Sequence, residues 1–316
     1  MIVTAYSVRP DEDEFFVQYG KELGLEVRIL NVLPDIDNLS LAEGSDAISI
    51  VTNRIDRAMV EKIASMGIHL LSTRTAGFDH IDTKACDEYG IKYGNVTYST
   101  STVAEFAVML MVMGLRKVPS TVALANVQDF TVTKAKRGKE LRTCTVGVVG
   151  TGKIGRRVTE ILSGYGCKII AYDLHPSAPG LEYVSLDELL SRSDVITFHI
   201  PMNPGEDYLI GKEEFGKMKD GVVIVNTARG GIIDTYALVD AVEQGKVGFA
   251  LLDVVEDEKK MYYSDYREVR LDNRRYMLLK GYPQIYVTPH LAFFTNEGVS
   301  EMVLHSLEWI KENFPV

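Results

Sequence analysis

The residues best equipped for chemistry begin with a glycine-rich turn. Val146-Gly147-Val148-Val149 leads straight into Gly150-Thr151-Gly152-Lys153-Ile154-Gly155, an apolar strand followed by G-x-G-x-x-G and a helical pattern. In such a turn the first glycine permits the tight reversal and the second lets backbone approach a pyrophosphate. The third allows close helix–strand contact, and the helix N-terminus faces the phosphates. The next apolar run, Ile169-Ile170-Ala171-Tyr172, ends at Asp173, eighteen residues after Gly155. An acid there accepts hydrogen bonds from the adenosine ribose hydroxyls and repels a 2′-phosphate, which favours NAD over NADP. The competing view is a glycine turn in an unrelated α/β protein with Asp173 as a loop cap. It must treat strand, glycines, helix and acid in register as coincidence. Farther along, Arg229 follows the apolar run Val222 to Asn226. Open α/β sheets bind ligands beyond such carboxyl ends, and a guanidinium fork there can hold a carboxylate by two charge-assisted hydrogen bonds. Taken alone, Arg229 is as easily a surface arginine in a glycine turn.

These groups need a scaffold. In the first half Ile2 to Tyr6, Leu25 to Leu30, Ala47 to Val51 and Ile68 to Ser72 are expected to be strands. Helices are expected over Asp11 to Leu23, closed by Gly24, and from the N-cap Asp56 to about Met66. Strand–helix alternation implies parallel strands joined by helical crossovers. In the second half Thr145 to Val149, Lys168 to Tyr172, Val195 to His199, Val222 to Asn226, Phe249 to Asp253 and Ile285 to Thr288 make six strands, the number of a complete doubly wound dinucleotide-binding sheet. The final helix, Asn296 to Glu312, lies beyond that sheet and is free to pack back on the first domain. Between the halves, Thr100 to Val118 is apolar nearly all round and should be buried on most faces. It is either a domain core or a subunit interface, with interface favoured because one domain rarely encloses a whole helix. Pro119 should kink or end it.

The 316 residues suit two domains, and 46% apolar with 25% charged residues is ordinary for a globular protein. No apolar run approaches the ~20 residues that span a bilayer, and the opening MIVTAYSVRPDEDE has no secretory pattern. A soluble, cytoplasmic protein with no membrane partner is expected. A net charge of −10 argues against nucleic acid as a partner. Cys86, Cys144 and Cys167 are too few and too scattered for a disulfide frame. No His/Cys/carboxylate cluster has metal-ligand spacing, so no metal is implied.

Six ordered motifs resemble those of the D-2-hydroxyacid dehydrogenase family, in particular its D-lactate dehydrogenase branch. They are Arg74-Thr75-Ala76-Gly77-Phe78-Asp79-His80-Ile81-Asp82, Asn95-Val96-Thr97-Tyr98-Ser99 with Val103-Ala104-Glu105, the glycine loop, Asn226-Thr227-Ala228-Arg229-Gly230-Gly231, Asp253-Val254-Val255-Glu256-Asp257-Glu258, and Thr288-Pro289-His290-Leu291-Ala292-Phe293-Phe294-Thr295. Tyr262-Tyr263-Ser264-Asp265 with Asp272-Asn273 is also similar to the vancomycin-resistance type of D-lactate dehydrogenase. The family usually has proline after Tyr98-Ser99, where this chain has Thr100.

The resemblance implies two Rossmann-like, doubly wound parallel-sheet domains with a cleft between them. Residues 1–98 plus 294–316 would form a discontinuous substrate domain, and 99–293 the NAD-binding domain. It also implies the reduction of a small 2-keto acid, pyruvate to D-lactate first among them, by hydride from NADH. That reaction needs a carboxylate anchor, a proton donor and a placed hydride. Arg229 supplies the anchor. His290 supplies the proton, since an imidazole titrates near neutrality, and the family pattern pairs it with Glu258. On its own Glu258 would be one member of the charged run Glu256-Asp257-Glu258-Lys259-Lys260, usually a solvated loop. Contacts to NAD fall by resemblance to Gly150, Gly152, Lys153, Ile154, Gly155, Asp173, Ile200, Pro201, Thr227, Ala228, Arg229 and Asp253. His199 would line the same pocket. Backbone at Ala76 and Gly77, with Tyr98 and Phe293, would surround the substrate alongside Arg229 and His290. His69, His80, His175 and His305 read as structural or exposed. A homodimer through the Thr100 to Val118 helix and its flanks is expected.

Two alternatives remain at this level. The same chemistry could act on a branched, aromatic or dicarboxylic 2-keto acid, although no second basic residue in these motifs marks a dicarboxylate site. From another class, an NAD-sensing corepressor or scaffold would keep the glycine loop, yet would have no need of Arg229, Glu258 and His290 together. Formate, phosphoglycerate and glyoxylate dehydrogenases rank lower, because Tyr98-Ser99 and His290-Leu-Ala-Phe-Phe-Thr favour the D-lactate branch.

Overall fold

The computed structural model describes residues 1–78, 80–202, 208–258, 261 and 265–314. Asp79, Lys259, Lys260 and the Tyr262-Tyr263-Ser264 stretch of the vancomycin-resistance likeness lie outside the described residues. The chain divides into two compact units, Met1–Ser99 with Phe294–Val316, and Thr100–Phe293.

In the first unit β1 (Ile2–Ala5), β2 (Glu26–Ile29), β3 (Ala47–Ile50), β4 (Leu70–Thr73) and β5 (Lys92–Gly94) form an all-parallel sheet in the order β2-β1-β3-β4-β5. Every residue of β3 and β4 is buried, the signature of strands covered by helices on both faces. Helix α1 (Asp13–Leu23) closes at Gly24, whose φ of 69° suits glycine. Helix α2 (Arg57–Ser65) is capped as expected by Asp56, which accepts from the Met59 amide at 3.2 Å. α3 (Thr83–Tyr89) follows. The C-terminal helix Asn296–Asn313 packs in this unit, with Val303, Leu307 and Ile310 buried against Val3, Ala5 and Phe16.

A buried ion pair ties the carboxyl ends of these strands together. Arg74, directly after β4, is fully buried. Its Nε donates to Glu12 Oε1 at 3.0 Å, Nη1 to Ser49 Oγ at 3.0 Å and Nη2 to the Tyr6 carbonyl at 3.0 Å, while the guanidinium stacks over Phe16. Burial pushes the Arg74 pKa down and the Glu12 carboxylate works against that push. A buried pair survives because every donor has a partner; removing one charge strands the other.

In the second unit β6 (Thr145–Val149), β7 (Lys168–Tyr172), β8 (Glu182–Tyr183), β9 (Val195–Phe198), β10 (Val222–Asn226), β11 (Val247–Leu252) and β12 (Ile285–Val287) form an all-parallel sheet, order β12-β11-β10-β9-β6-β7-β8. The sheet has seven strands where the sequence suggested six; β8 has only two residues and no apolar run. Strand order reverses between β6 and β9, where doubly wound sheets hold their ligands.

The long apolar helix is held largely by its own unit. Helix α4 spans Thr100–Leu115 and buries nine of its residues, among them Ala104, Ala107, Leu110 and Met111, in its own unit's core. A Cβ on Gly114 would come within 2.7 Å of Val223 and Leu251, so the helix lies tight on the sheet. Nine of its sixteen residues thus serve the domain core, while Met109 on the same helix is 43% exposed. Lys117 takes a left-handed φ of 53° and Pro119 sits in the first turn of α5 (Val118–Asn126), bent 64° from α4. No single described helix is long and apolar enough to cross a membrane.

Glu12→Gln should lower the stability of the first unit by about 3–5 kcal/mol in urea unfolding, the usual cost of stranding a buried charge. Glu12→Leu combined with Arg74→Met should recover much of it. A loss below about 1 kcal/mol for the single variant would contradict the role assigned to the pair.

Candidate active site

The three glycines of the turn are required for three different reasons. Gly150 has φ of 90°, and a Cβ there would lie 2.6 Å from the His199 carbonyl oxygen and 2.6 Å from Ile200 Cγ2. A Cβ on Gly155 would lie 2.0 Å from the Gly150 carbonyl oxygen, so helix α6 (Lys153–Ser163) can start against the turn only with glycine. At Gly152 nothing lies within 4 Å of the added carbon. Protein packing gives no reason for glycine there; a ligand seated on the α6 N-terminus does. Lys153 is exposed and Ile154 half-buried beside it, and Pro201 is exposed after β9.

Asp173 leaves the end of β7 and is held from several sides. Its Oδ2 accepts from the Thr151 amide at 2.6 Å and the Thr151 hydroxyl at 2.9 Å, and its Oδ1 accepts from the His175 amide at 2.8 Å. Burial alone would raise this carboxyl, but the Thr151 and His175 donors bring it below its ordinary value. The carboxylate therefore stays charged, as repulsion of a 2′-phosphate requires. Tyr183 on β8 reaches Thr151 Oγ1 at 2.9 Å and accepts from the Ala178 amide at 3.1 Å. His199, bonded to Thr197 Oγ1 at 2.9 Å, is pushed by burial down to about 3, so a neutral ring sits beside the turn.

Beyond β10, Asn226 clamps the loop that carries Arg229. Its Oδ1 accepts from the Ala228 amide at 3.0 Å and its Nδ2 donates to the Arg229 carbonyl at 2.8 Å. Gly230 follows because a Cβ there would be 2.1 Å from the Val255 carbonyl carbon. Thr227 Oγ1 is buried with no hydrogen-bond partner among the described residues, a polar atom that awaits a ligand.

Asp253, at the end of β11, is 1% exposed. Its Oδ1 accepts from Thr288 Oγ1 at 2.5 Å and the Leu291 amide at 2.9 Å, its Oδ2 from the Ala292 amide at 2.8 Å, and its carbonyl from the His290 amide at 2.9 Å. Both carboxylate oxygens thus hold the 288–292 segment, a role that the family pattern did not convey. The segment bends so sharply that His290 takes φ of 53°, a conformation that non-glycine residues keep only where the surroundings enforce it. His290 Nδ1 then lies 3.3 Å from Glu258 Oε1, while Glu258 Oε2 accepts from the Val255 amide at 2.8 Å. Phe293 packs edge-on to the imidazole.

Sequence reasoning missed a support beneath this pair. Glu256 accepts from Tyr208 Oη at 2.7 Å and the Thr235 amide at 3.0 Å, and Arg275 reaches both Glu256 and Asp257. Asn273 donates to the Glu256 carbonyl at 3.1 Å. The spacing of Asn226, two residues before the amide it accepts from, was a readable signal; the convergence of Tyr208, Arg275 and Asn273 on one glutamate was not.

Ala76, Gly77 and Tyr98 belong to the first unit. Ala76 is exposed and Gly77 half-buried beyond the carboxyl end of β4. The amides of Ala76, Gly77 and Phe78 donate to no partner among the described residues, an arrangement suited to an anion.

The open face at Gly152, the orphaned Thr227 hydroxyl and the charged Asp173 all fit a dinucleotide. Residues 108–292 match the family model described as "D-isomer specific 2-hydroxyacid dehydrogenase, NAD binding domain". The chain belongs to the D-isomer-specific 2-hydroxyacid dehydrogenase family. It is 38% identical over 302 residues to a D-specific alpha-keto acid dehydrogenase of Enterococcus faecium, covering 95% of this chain and 93% of that one. It is 40% identical over 321 residues to an aromatic 2-oxoacid reductase of Clostridium sporogenes, covering 99% and 96%. Among solved structures, the pyruvate reductase of Chlamydomonas reinhardtii superposes with a TM-score of 0.90 at 35% identity, covering 99% and 96%. This dehydrogenase is thus an NAD-dependent oxidoreductase of D-2-hydroxy acids and their keto acids.

The glycine geometry separates folding from cofactor binding in the dehydrogenase. Gly152→Val should leave the melting temperature unchanged while weakening NADH binding at least about tenfold in a fluorescence titration, the value of roughly one lost hydrogen bond or a steric clash. Gly155→Ala should instead lower stability by about 1–3 kcal/mol. Equal NADH affinity in Gly152→Val and the parent would remove the ligand argument for that glycine.

Proposed function

We propose that this dehydrogenase reduces a small 2-keto acid to the D-2-hydroxy acid, with pyruvate to D-lactate as the first reading. The observation that carries it is the His290–Glu258 pair, built on a strained backbone that Asp253 enforces, in the same unit as the glycine turn and Arg229. Bound NADH supplies the hydride to the carbonyl carbon. Arg229 holds the carboxylate with its planar fork, and the amides of Ala76 and Gly77 add donors to the same group. As the carbonyl oxygen gains negative charge, protonated His290 gives it the Nε2 proton. Glu258, on Nδ1, orients the ring and fixes which nitrogen faces the substrate. In the oxidative direction His290 takes the hydroxyl proton back. Tyr98 and Phe293 are proposed to bound the substrate side chain; Lys153, Ile154, Asp173, Ile200, Pro201, Thr227, Ala228 and Asp253 are proposed around the cofactor with Gly150, Gly152 and Gly155. A bulkier side chain is the second reading, favoured by the 40% identity to an aromatic 2-oxoacid reductase over 99% of the chain.

The test follows NADH absorbance with pyruvate, 2-ketobutyrate, 2-ketoisocaproate, phenylpyruvate, oxaloacetate and 2-ketoglutarate. The rank order names the side chain. His290→Ala should cost about 10²–10⁴ in kcat/KM, the range for a general acid. Glu258→Gln should also lower kcat/KM, because Nδ1 loses the carboxylate that orients the ring. NADH binding without turnover on any acid would overturn the reading in favour of a cofactor sensor.

We further propose a homodimer and a cytoplasmic setting. Met109 on α4 is 43% exposed, and exposed apolar side chains continue on its flank. Val122 is 52% exposed, Val127 73%, Phe130 76% and Val132 100%, a concentration that favours a second copy as cover. The NADH requirement suits the cytoplasm, as do three free cysteines; burial pushes the Cys86 thiol up to about 11. Sedimentation analysis should give twice the chain mass, and Phe130→Asp with Val132→Asp should give the monomer. A monomeric parent would refute the dimer.

A further inference from the structure

Four carboxylates, Asp253, Glu256, Asp257 and Glu258, fall within six residues, and the backbone turns sharply among them. Asp257 takes a left-handed φ of 59° directly before Glu258. Residues other than glycine populate that conformation sparsely, although aspartate tolerates it better than most. Whatever holds Asp257 there also decides where the Glu258 side chain starts. The turn is closed from inside by the Val255 amide, which donates to Glu258 Oε2 at 2.8 Å while Oε1 lies 3.3 Å from His290 Nδ1.

From outside, the same turn is closed by Arg275. Its Nη1 donates to Asp257 Oδ2, and its Nε lies 3.4 Å from Glu256 Oε2. Glu256 is anchored without Arg275, by the Tyr208 hydroxyl, the Thr235 amide and, at its carbonyl, Asn273 Nδ2. The Asp257 side chain is 66% exposed, and among the described residues its carboxylate pairs with Arg275. The guanidinium therefore ties a surface carboxylate to an anchored one and offsets the repulsion between adjacent acids. Arg275 is itself placed by the helix Arg274–Leu279, which Asn273 caps, and by the ring of Tyr236, whose centroid lies 5.6 Å from Cζ.

We propose that Arg275 is a positioning residue: by gripping Glu256 and Asp257 together it holds the left-handed turn that aims Glu258 at Nδ1 of His290. It acts through Glu258 and through nothing else in the site. The inference rests on the reading that His290 and Glu258 work as the acid–base pair for a 2-keto acid.

Steady-state kinetics of the full chain test it with pyruvate and phenylpyruvate as probes. Arg275→Gln should lower kcat on the better keto acid about tenfold or more while the KM of NADH stays within about twofold, because the loss falls on the chemical step. A variant that merely loosened the fold would lower activity whichever residue stood at position 258. In a Glu258→Gln background, by contrast, Arg275→Gln should cost less than about twofold more, since residues that act as a unit are not additive. Asp257, on the surface, gives a second route that does not depend on the Arg275 variant folding. Asp257→Val, which has no acceptor and disfavours a left-handed φ, should reproduce the loss, and Asp257→Asn should recover most of it. Equal losses from Arg275→Gln in both backgrounds, or parent-level kcat in Arg275→Gln or Asp257→Val, would overturn the inference. A parent enzyme with no keto-acid turnover would overturn the acid–base reading beneath it, and the inference with it.

Discussion

The carboxylate of Asp253 is the interaction on which the catalytic arrangement rests. It is almost fully buried, where an unpaired charge would be prohibitively costly, and it accepts from Thr288, Leu291 and Ala292. Its own backbone amide donates to the Asn226 carbonyl at 2.9 Å, and its carbonyl takes the His290 amide. One residue thus joins the end of β10, the end of β11 and the segment after β12. Arg229 hangs from the first through Asn226, Glu258 follows the second, and His290 belongs to the third. A left-handed φ at a non-glycine residue costs on the order of 1–3 kcal/mol. The three charge-assisted bonds to Asp253 offset that strain, and the imidazole then meets Glu258 at 3.3 Å.

The cofactor side obeys a different constraint, close approach of backbone. Gly150 and Gly155 are needed by the protein itself, because any Cβ would meet the His199 or Gly150 carbonyl. Gly152 is needed only by what binds there. Electrostatics follow the same division. His199 is neutral beside the turn, so it adds no positive charge to that of the α6 N-terminus. Asp173 stays charged because Thr151 donates to it twice, so the glycine turn itself orients that acid.

How much of this the sequence carried depended on whether the signal was local. The strands Thr145–Val149, Lys168–Tyr172 and Val222–Asn226 match the expected spans because each is an uninterrupted apolar run. β5 in the first unit and β8 in the second escaped, being three and two residues long with charged members. The glycine loop and Asp173 were legible because fixed spacings along one chain segment define them. Glu258 was legible only by likeness, since a carboxylate in a charged run acquires meaning when the fold brings His290 to it across 32 residues. Arg74 stood inside a quoted motif, yet its partner Glu12 lies 62 residues earlier, and no local pattern announces a buried pair. Thr100–Leu115 was correctly read as buried, but composition could not tell whether its own sheet or a second chain did the burying.

The parts of the site proposed to recognise the acid are polar and geometrically exacting. The Arg229 fork and the His290–Glu258 pair are proposed to act on the carboxyl and keto groups that every 2-keto acid shares. A misplaced or missing hydrogen bond there leaves a buried group unpaired and is heavily penalised. Apolar contacts to a side chain, by contrast, discriminate by only about 1–3 kcal/mol per methylene. Selection can therefore retune the side chain accepted by a few substitutions while the polar frame stays fixed. Relatives named for aromatic 2-oxoacids, alpha-keto acids and D-lactate stand at 40%, 38% and 36% identity to this chain, so identity over the whole chain does not by itself name the side chain accepted.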